Sequence, residues 1–277
     1  MGILMRYPNG RSKALTLSYD DGVAQDIRLI EIMQKYGLKG TFNINTGLMS
    51  DEDAVGGKGR MSRQQIIDLY SKSGNEAAVH TYTHPHLEDM EPALVTDEIL
   101  RDRREIEKMF GVITRGMAYP YGTYNDDVVN CLKACGIAYS RTTDSTEWFS
   151  IPKNWLLLPA TCHHNNPRLF ELADKFLTIP RRDGCDDCWL FYLWGHSYEF
   201  DNDSNWDRIE KFAQKIGGRE DIWYATNIEI YDYIDAYKKL KYNIDKTIAY
   251  NPTAIDLWIQ NDGKLIKIDA GTAAMLD

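Results

Sequence analysis

The sequence predicts an α/β protein whose core is a parallel sheet of about seven strands. Short apolar segments alternate with amphipathic ones along most of the chain, and several of the apolar segments have no polar face. This is the pattern of parallel strands that are buried on both sides and joined by right-handed helical crossovers. The 277 residues and the 43% apolar content suit one large core. An open doubly wound sheet and a closed or partly closed barrel both agree with this order of elements.

The strands are predicted from short apolar runs, in chain order 14–19, 40–45, 77–80, 116–119, 136–139, 155–158 and 189–194. The helices are predicted from apolar residues three or four positions apart, over 26–36, 62–71, 96–110, 125–134, 168–176, 204–216 and 226–239. Ser62 begins a Ser-x-x-Gln capping box, and Gly37 and Gly111 end two of the helices.

The pattern changes after about residue 241, where two β-like segments, 254–260 and 264–269, flank Asn261-Asp262-Gly263. Asp-Gly between such segments is a strong hairpin signal. We therefore expect a main domain over residues 1–240 and a small β-rich appendage over residues 241–277 that packs on it.

Composition limits the expected partners and location. The net charge is −9 with no basic cluster, so we expect neither nucleic acid nor an anionic membrane surface as a partner. No run of about 20 apolar residues predicts a spanning helix. The N-terminus lacks a basic patch before an apolar run, which favours a cytoplasmic protein, although a secreted chain without its signal peptide would look the same. The oligomeric state stays open.

The five cysteines favour free thiols, because they are odd in number in a chain that does not need disulfides. Cys131 and Cys135 lie four apart in a predicted helix and are expected to pack in the core. Cys185 and Cys188 have zinc-ribbon spacing, but no second Cys or His pair lies nearby, so we expect loop thiols there.

Two groups of polar residues follow predicted strands, at the end where parallel sheets bind ligands. Asp20-Asp21-Gly22 follows the first strand; one carboxylate can bind a cation while the other acts as a general base, although by itself Asp-Gly is better explained as a turn. His80, His84 and His86 are three of the six histidines and lie within seven residues. Pro85 favours extended backbone at His84, so His80 and His84 are expected to line one loop and to bind a metal, whereas His86 either joins them or lies at the surface.

Two further groups lie at the same predicted edge. Tyr119-Pro120-Tyr121-Gly122 forms a stiff turn that either fixes a backbone N–H at a pocket wall or only packs. His196 follows the strand 189–194, and one histidine there is by default structural. The four groups together, however, concentrate metal ligands and acid/base side chains on one edge of the sheet, which favours a catalytic site.

These motifs resemble those of the polysaccharide deacetylase family, also called the NodB-homology domain or carbohydrate esterase family 4. The resemblance covers residues 12–240. Ser18-Tyr19-Asp20-Asp21-Gly22 matches the family's Thr-Phe-Asp-Asp-Gly motif, and His80-Thr81-Tyr82-Thr83-His84-Pro85 matches its His-(Ser/Thr)-x-x-His-Pro motif without a departure. The resemblance implies a distorted or incomplete (β/α) barrel.

The resemblance also implies residue roles. The implied general base is Asp20, the general acid His196, and the ligands of one divalent metal ion Asp21, His80 and His84. The backbone N–H of Tyr121 would help to hold the oxyanion, and Trp194 would line the acetyl pocket. Zinc is the expected ion, and cobalt, nickel or iron also suit these ligands.

Two motifs depart from the family. Ala118 stands where the family has an arginine that tethers the catalytic aspartate, and Arg115, three residues earlier, is expected to reach the same place. The family's Asp-Trp motif, which supports the acid histidine, is matched only loosely by residues 144–148, where Asp144 or Glu147 is expected to take that role.

The expected function is therefore metal-dependent removal of acetyl groups from an acetylated sugar or oligosaccharide, with N-acetyl and O-acetyl substrates both open. Two alternatives stay open as well. One is a catalytically impaired relative that binds carbohydrate and keeps the metal site, which Ala118 favours. The other is a hydrolase of a different non-peptide C–N bond, such as that of a cyclic ureide, which would not release acetate.

Overall fold

The computed structural model of the protein describes residues 2–54, 59–179 and 188–276. Its strands, in chain order, are β1 (Leu4–Arg6), β2 (Lys13–Asp20), β3 (Gly40–Ile44), β4 (Glu76–Val79), β5 (Gly116–Ala118), β6 (Tyr139–Ser145), β7 (Leu158–Ala160), β8 (Cys162–His163), β9 (Trp189–Gly195), β10 (Ile222–Tyr224), β11 (Lys241–Tyr242), β12 (Ile248–Tyr250), β13 (Leu257–Asn261), β14 (Lys264–Ile268) and β15 (Ala273–Met275). Its helices are α1 (Asp26–Lys35), α2 (Arg63–Ser73), α3 (Pro92–Phe110), α4 (Asp126–Ala134), α5 (Leu169–Thr178), α6 (Glu199–Asn202), α7 (Trp206–Ile216) and α8 (Asn227–Lys238).

The central sheet is parallel, in the order β7-β6-β5-β4-β3-β2-β9-β8, with β10 also paired to β2. The sheet closes on itself because β7 and β8 are separated only by Thr161, and they pair with opposite ends of the sheet: β7 with β6 and β8 with β9. Thr161 completes the closure by donating its N–H to the Tyr192 carbonyl (2.8 Å). The predicted α/β fold, a distorted (β/α) barrel of about seven parallel strands, is confirmed.

Alternate residues of the strands pack on two separate cores. Leu15 and Leu17 of β2 point outward and belong to a large apolar core with helices α1 to α5 and α7. Ala14 of β2 and Tyr192 of β9 belong to a second core with α8 and the C-terminal strands. The strands are therefore buried on both faces, as the sequence predicted, although the inner face also carries polar side chains such as Asp20 and Arg141.

Two predicted elements differ from the structure in their limits. The strand predicted over 136–139 instead runs over β6, because Gly136, with φ of 72°, and the Ile137 N–H complete the C-terminal cap of α4. The segment predicted as strand 155–158 is a short 3-10 turn over Trp155–Leu157 that leads into β7. The helix predicted from 62–71 begins as expected, with the Ser62 side chain accepting from Gln65 in a capping box.

The C-terminal residues form two small antiparallel sheets. The predicted hairpin is present as β13 and β14, and its turn places Asp262 and Gly263 in the left-handed region. Strand β1, which the sequence analysis did not assign, pairs antiparallel with β13 on the side opposite β14. The two ends of the chain therefore share one sheet, and the Tyr233 hydroxyl of α8 ties it to the barrel by donating to the Arg6 carbonyl (2.5 Å).

Two sequence expectations have only partial counterparts in the structure. Cys131 and Cys135 are buried as expected, and Cys162 and Cys188 are buried too. Cys185 lies outside the described residues, so the interpretation of the 185–188 pair as loop thiols stays a prediction.

Among the described helices, none combines the length and apolarity that crossing a bilayer requires.

A carboxyl group inside the barrel links α8 to the sheet. Glu76 of β4 accepts hydrogen bonds from the Thr41 hydroxyl (2.8 Å), the Tyr139 hydroxyl (2.8 Å) and the N–H of Ile228 at the start of α8 (3.0 Å). Burial raises the pKa of Glu76 to about 7, although these three donors favour the ionised form. A carboxyl group with a raised native pKa binds more protons in the folded state than in the unfolded state.

We expect Glu76→Gln to flatten part of the pH dependence of stability. The free energy of unfolding of the wild type minus that of the variant should fall by roughly 1–3 kcal/mol as pH rises from about 4.5 to about 7. These two pH values are the unfolded and folded pKa values of Glu76. Urea unfolding at several pH values measures this difference. Glu31→Gln, on the exposed face of α1, is the control. The same pH profile for wild type and Glu76→Gln would contradict the prediction.

Candidate active site

Two loops at the C-terminal ends of β2 and β4, which flank β3 in the sheet, hold the predicted metal ligands. Asp21 follows β2 with a φ of 86°, a left-handed conformation unusual for a non-glycine residue, and its N–H donates to the Asn43 carbonyl (2.9 Å). His80 follows β4 and is buried. His84 lies in the same loop with a φ of 57°, and its N–H donates to the Thr81 hydroxyl (3.1 Å).

The donor atoms of these residues fit a divalent cation. One ligand atom each from Asp21, His80 and His84 lies within 4.8 Å of the others. The Nδ1–H of His80 donates to the Ala118 carbonyl (2.8 Å), which leaves the Nε2 lone pair for a metal. Burial lowers the pKa of His80, and burial followed by the charge of His80 lowers the pKa of His84 to about 4. Both imidazoles are therefore neutral near pH 7, the state in which histidine binds a metal, and one carboxylate with two imidazoles suits zinc and similar ions.

Asp20, the last residue of β2, is only 2% exposed and has polar partners on several sides. Its Oδ1 accepts from the Asn43 amide (2.8 Å), and its Oδ2 lies 3.9 Å from His80 Nε2 and 3.8 Å from His196 Nε2. The Arg141 guanidinium forms an ion pair with the same Oδ2. Burial alone would raise the pKa of Asp20, but Arg141, the two histidines and Asn43 together lower it, so the carboxylate is ionised near neutral pH.

The arginine that contacts Asp20 is not the one predicted from the sequence. Arg115 pairs with Asp232 of α8 (2.6 Å), away from Asp20, so the expectation that Arg115 replaces the missing arginine was wrong. Arg141, one strand further along in β6, is 1% exposed and takes that place. The Trp194 ring packs against the Arg141 guanidinium at 4.4 Å and contributes to fixing it.

The carboxylate beside His196 also differs from the expectation. His196 Nδ1 lies 3.1 Å from Oε1 of Glu199, one helical turn further on. Glu147 instead pairs with Arg168, and Asp144 contacts the Thr142 hydroxyl at 3.3 Å, so neither residue supports His196 as predicted.

Glu199 also binds two histidines that the sequence analysis missed. Its Oε2 lies 3.1 Å from His163 Nε2 and 2.9 Å from His164 Nε2, both at the end of the short strand β8. Burial lowers the pKa of His196, but Glu199 and Asp20 outweigh it and raise that pKa overall. The ring lies between two carboxylates, which favours the protonated imidazolium. The adjacent pair His163-His164, five positions after the end of the predicted strand 155–158, was the signal in the sequence.

The remaining predicted residues lie around the same opening. Tyr121 has a φ of 58° and is exposed, with its ring stacked on His86 (3.9 Å between centroids) and edge-on to His84 (4.6 Å). Trp194 is nearly buried, and its ring contacts His163 edge-on (4.6 Å). His86 lies at the surface, where its ring stacks on Tyr121 and its imidazole pairs with Glu88.

The arrangement brings together an ionised carboxylate, a set of cation ligands and a proton donor. Asp20 stands between His80 on one side and His196 on the other, at 3.9 Å and 3.8 Å. The carboxylate can take a proton from water, and the imidazolium can give one to a leaving group. This combination suits hydrolysis of an acyl bond with a bound cation.

Comparison with known proteins gives the same family as the motifs. Residues 7–140 match the family model described as polysaccharide deacetylase. The chain is 27% identical over 149 residues to a chitooligosaccharide deacetylase of a Bradyrhizobium species, a match covering 52% of this chain and 59% of that protein. The chain spans about half the length of the curated relatives it matches. The resemblance inferred from the motifs is confirmed.

Solved structures share the fold. A family 4 carbohydrate esterase from Streptomyces lividans, in complex with acetate, is 16% identical with a TM-score of 0.52, covering 76% of this chain and 91% of that one. A family 4 acetyl xylan esterase from Clostridium thermocellum, in complex with a cobalt ion, is also 16% identical with a TM-score of 0.52, covering 79% and 90%. The chain therefore shares its fold with these two esterases.

We expect His84→Ala to remove most of the affinity for Zn²⁺. The loss of one of three donors should weaken binding by at least the roughly 10–100-fold that loss of an outer partner costs. Competition with a chromophoric chelator measures the affinity without any substrate. His86→Ala is the matched control, since His86 lies in the same loop but outside the ligand set, and should bind Zn²⁺ like the wild type. Equal losses in the two variants would contradict the assignment.

Proposed function

We propose that this chain hydrolyses acetyl groups from an acetylated sugar or oligosaccharide with the help of one divalent metal ion, a proposal supported by the match of residues 7–140 to the polysaccharide deacetylase family model. The observation that carries the proposal is the position of Asp20, which lies within 4 Å of both the ligand His80 and the proton donor His196. The names of the relatives, including the chitooligosaccharide deacetylase, support an acetylated carbohydrate as the substrate class.

The metal would be held by Asp21, His80 and His84. Zinc is the ion we propose, because two imidazoles and one carboxylate suit it, and cobalt, nickel and iron accept the same ligands. When bound, the ion supplies Lewis acidity that polarises the acetyl carbonyl and acidifies the attacking water. The remaining work falls to side chains and backbone groups of the chain itself.

Asp20 takes the proton of the water that attacks the acetyl carbonyl carbon. Its carboxylate is already ionised, and Arg141 and Asn43 hold it in place by contacts to its two oxygens. The backbone N–H of Tyr121 donates to the oxygen that becomes negative in the tetrahedral intermediate, a contact typically worth about 10²–10³ in rate. His196 then donates its Nε2 proton to the leaving nitrogen or oxygen as the bond to the acetyl carbon breaks, which releases acetate and the free amine or hydroxyl.

Glu199 fixes His196 for this step. Its Oε1 accepts from Nδ1, so the imidazolium keeps Nε2–H directed towards Asp20 and the reacting atoms. The Nε2 atoms of His163 and His164 lie 3.1 and 2.9 Å from the other oxygen of Glu199. Trp194 lies against both Arg141 and His163, where it can form one wall of the acetyl pocket.

The catalytically impaired alternative is now less well supported. Ala118 favoured it, because that position lacks the arginine beside the catalytic aspartate. Arg141 occupies this place from the next strand, so the charge beside Asp20 is retained. A hydrolase of a different C–N bond is distinguished from a deacetylase by whether acetate is released.

Acetate release from N- and O-acetylated sugars, short oligosaccharides and polymers tests the proposed function. We expect release that a strong chelator abolishes and added Zn²⁺ restores. Asp20→Asn should lower the rate by about 10²–10⁴ or more, because the general base is lost, while one equivalent of Zn²⁺ still binds. Asp144→Asn, at an exposed carboxylate, is the control and should keep the wild-type rate. If folded, metal-loaded protein releases no acetate from any of these substrates, the proposal is wrong.

Replacing Arg141 should shift the acid limb of the pH–rate profile. Without the guanidinium, the pKa of Asp20 rises, so the ionised base appears only at higher pH. We expect Arg141→Gln to lower kcat/KM and to move its acid limb upward in pH. Arg115→Gln, whose side chain pairs with Asp232, should leave both the rate and the limb in place. An upward shift in Arg115→Gln with none in Arg141→Gln would restore the sequence-based assignment.

A further inference from the structure

The cation ligands come from two separate loops, and a third loop lies between them. Asp21 follows β2 and His80 follows β4, while β3 lies between these strands in the sheet. Asn45, one residue beyond the end of β3, therefore stands between the two ligand loops. It is 1% exposed, so its amide group must find partners within the protein.

Asn45 binds the histidine loop directly. Its Nδ2 donates to the backbone carbonyl of His80 (2.5 Å) and to that of Thr81 (3.1 Å). Thr81 in turn accepts the N–H of His84 through its hydroxyl oxygen (3.1 Å). These contacts fix the loop that carries both imidazole ligands.

Arg60 binds the aspartate loop and Asn45 at the same time. Its Nη1 donates to the backbone carbonyl of Asp21 (2.6 Å) and to Oδ1 of Asn45 (3.1 Å), and its Nη2 donates to Oδ1 of Asp21 (3.2 Å). The guanidinium therefore holds the backbone and the side chain of Asp21 in the left-handed conformation. One carboxylate oxygen, Oδ2, is left for a cation.

We propose that Arg60 and Asn45 are positioning residues that set the separation of Asp21 from His80 and His84, and so preorganise the site for a divalent cation. This inference rests on the cation site of the proposed function. It assigns to Arg60 a geometric role, although the positive charge of the guanidinium by itself opposes the binding of a metal cation nearby.

Geometry and charge predict opposite effects of substitution. The Arg60 side chain is 29% exposed and already paired with Asp21, so solvent and the carboxylate screen its charge. Its planar fork meets three acceptors in a fixed arrangement, which the compact ammonium of a lysine does not reproduce. Outer contacts of this kind to metal ligands are typically worth 10–100-fold in metal affinity. We therefore expect the loss of orientation to exceed the relief of repulsion.

The test compares Arg60→Gln with Arg60→Lys by Zn²⁺ affinity, measured by competition with a chromophoric chelator in the absence of substrate. Gln removes the charge, and Lys keeps the charge but loses the fork. If the geometric role holds, both variants bind one equivalent about 10–100-fold more weakly than the wild type. Arg63→Gln, three residues further on and paired with Glu105 at the surface, should bind like the wild type.

A second variant tests Asn45, the other positioning residue. Asn45→Asp keeps the acceptor for Arg60 but loses the amide donor to His80 and Thr81, and we expect it to weaken Zn²⁺ binding as well. Circular dichroism and thermal unfolding identify any variant that does not fold. If folded Arg60→Gln binds Zn²⁺ as tightly as the wild type or more tightly, the proposed positioning role of Arg60 is wrong. A wild-type protein that binds no Zn²⁺ would instead overturn the cation site itself.

Discussion

The site depends on keeping one carboxylate charged inside a barrel. Asp20 is 2% exposed, and a buried carboxylate without partners would take up a proton. Its partners come from four different strand ends: Asn43 of β3, His80 after β4, Arg141 of β6 and His196 after β9. The order of strands in the sheet therefore decides the protonation state of the residue at its centre.

Closure of the barrel supplies one of these partners, Arg141. Strands β6 and β9 are not neighbours, but the segment that contains β7 and β8 pairs first with β6 and then with β9. This brings Arg141 and Trp194 into contact at 4.4 Å and sets Arg141 beside Asp20. An open sheet with the same strand order would leave β6 at one edge and β9 near the other, and Asp20 would lack its cation.

The sequence predicted the parts of the site that are local and missed the parts that cross between strands. Asp21, His80 and His84 were predictable because each follows a recognisable strand and the histidine spacing is specific. Arg141 was not, because residues 140–145 are all polar and the strand was predicted over 136–139, ending at the first residue of β6. Their polarity suits the inner face of a barrel, where charged side chains pair with one another and do not face solvent.

The carboxylate beside His196 illustrates a different limit. Glu199 lies only three residues beyond His196, a spacing that places both side chains on one face of a helical turn. The family motif points instead to residues 144–148. There the structure has an unrelated surface ion pair between Glu147 and Arg168. Local spacing was here a better guide than position in the family motif.

The parallel sheet, in contrast, was predictable from apolar periodicity alone. Strand β1 was not, because its partner β13 lies about 250 residues further along the chain.

The ligand loops adopt conformations that their own sequences disfavour. Asp21, Thr81 and His84 all have positive φ without being glycine, and each such residue costs on the order of 1–3 kcal/mol in an isolated chain. Contacts from elsewhere in the fold offset this strain: Arg60 holds Asp21, and Thr81 binds the N–H of His84. The conformations are thus set by the folded protein before any ion arrives. Strain of this kind persists only where the surrounding structure over-determines it, and here the contacts of Arg60, Asn45 and Thr81 provide that support.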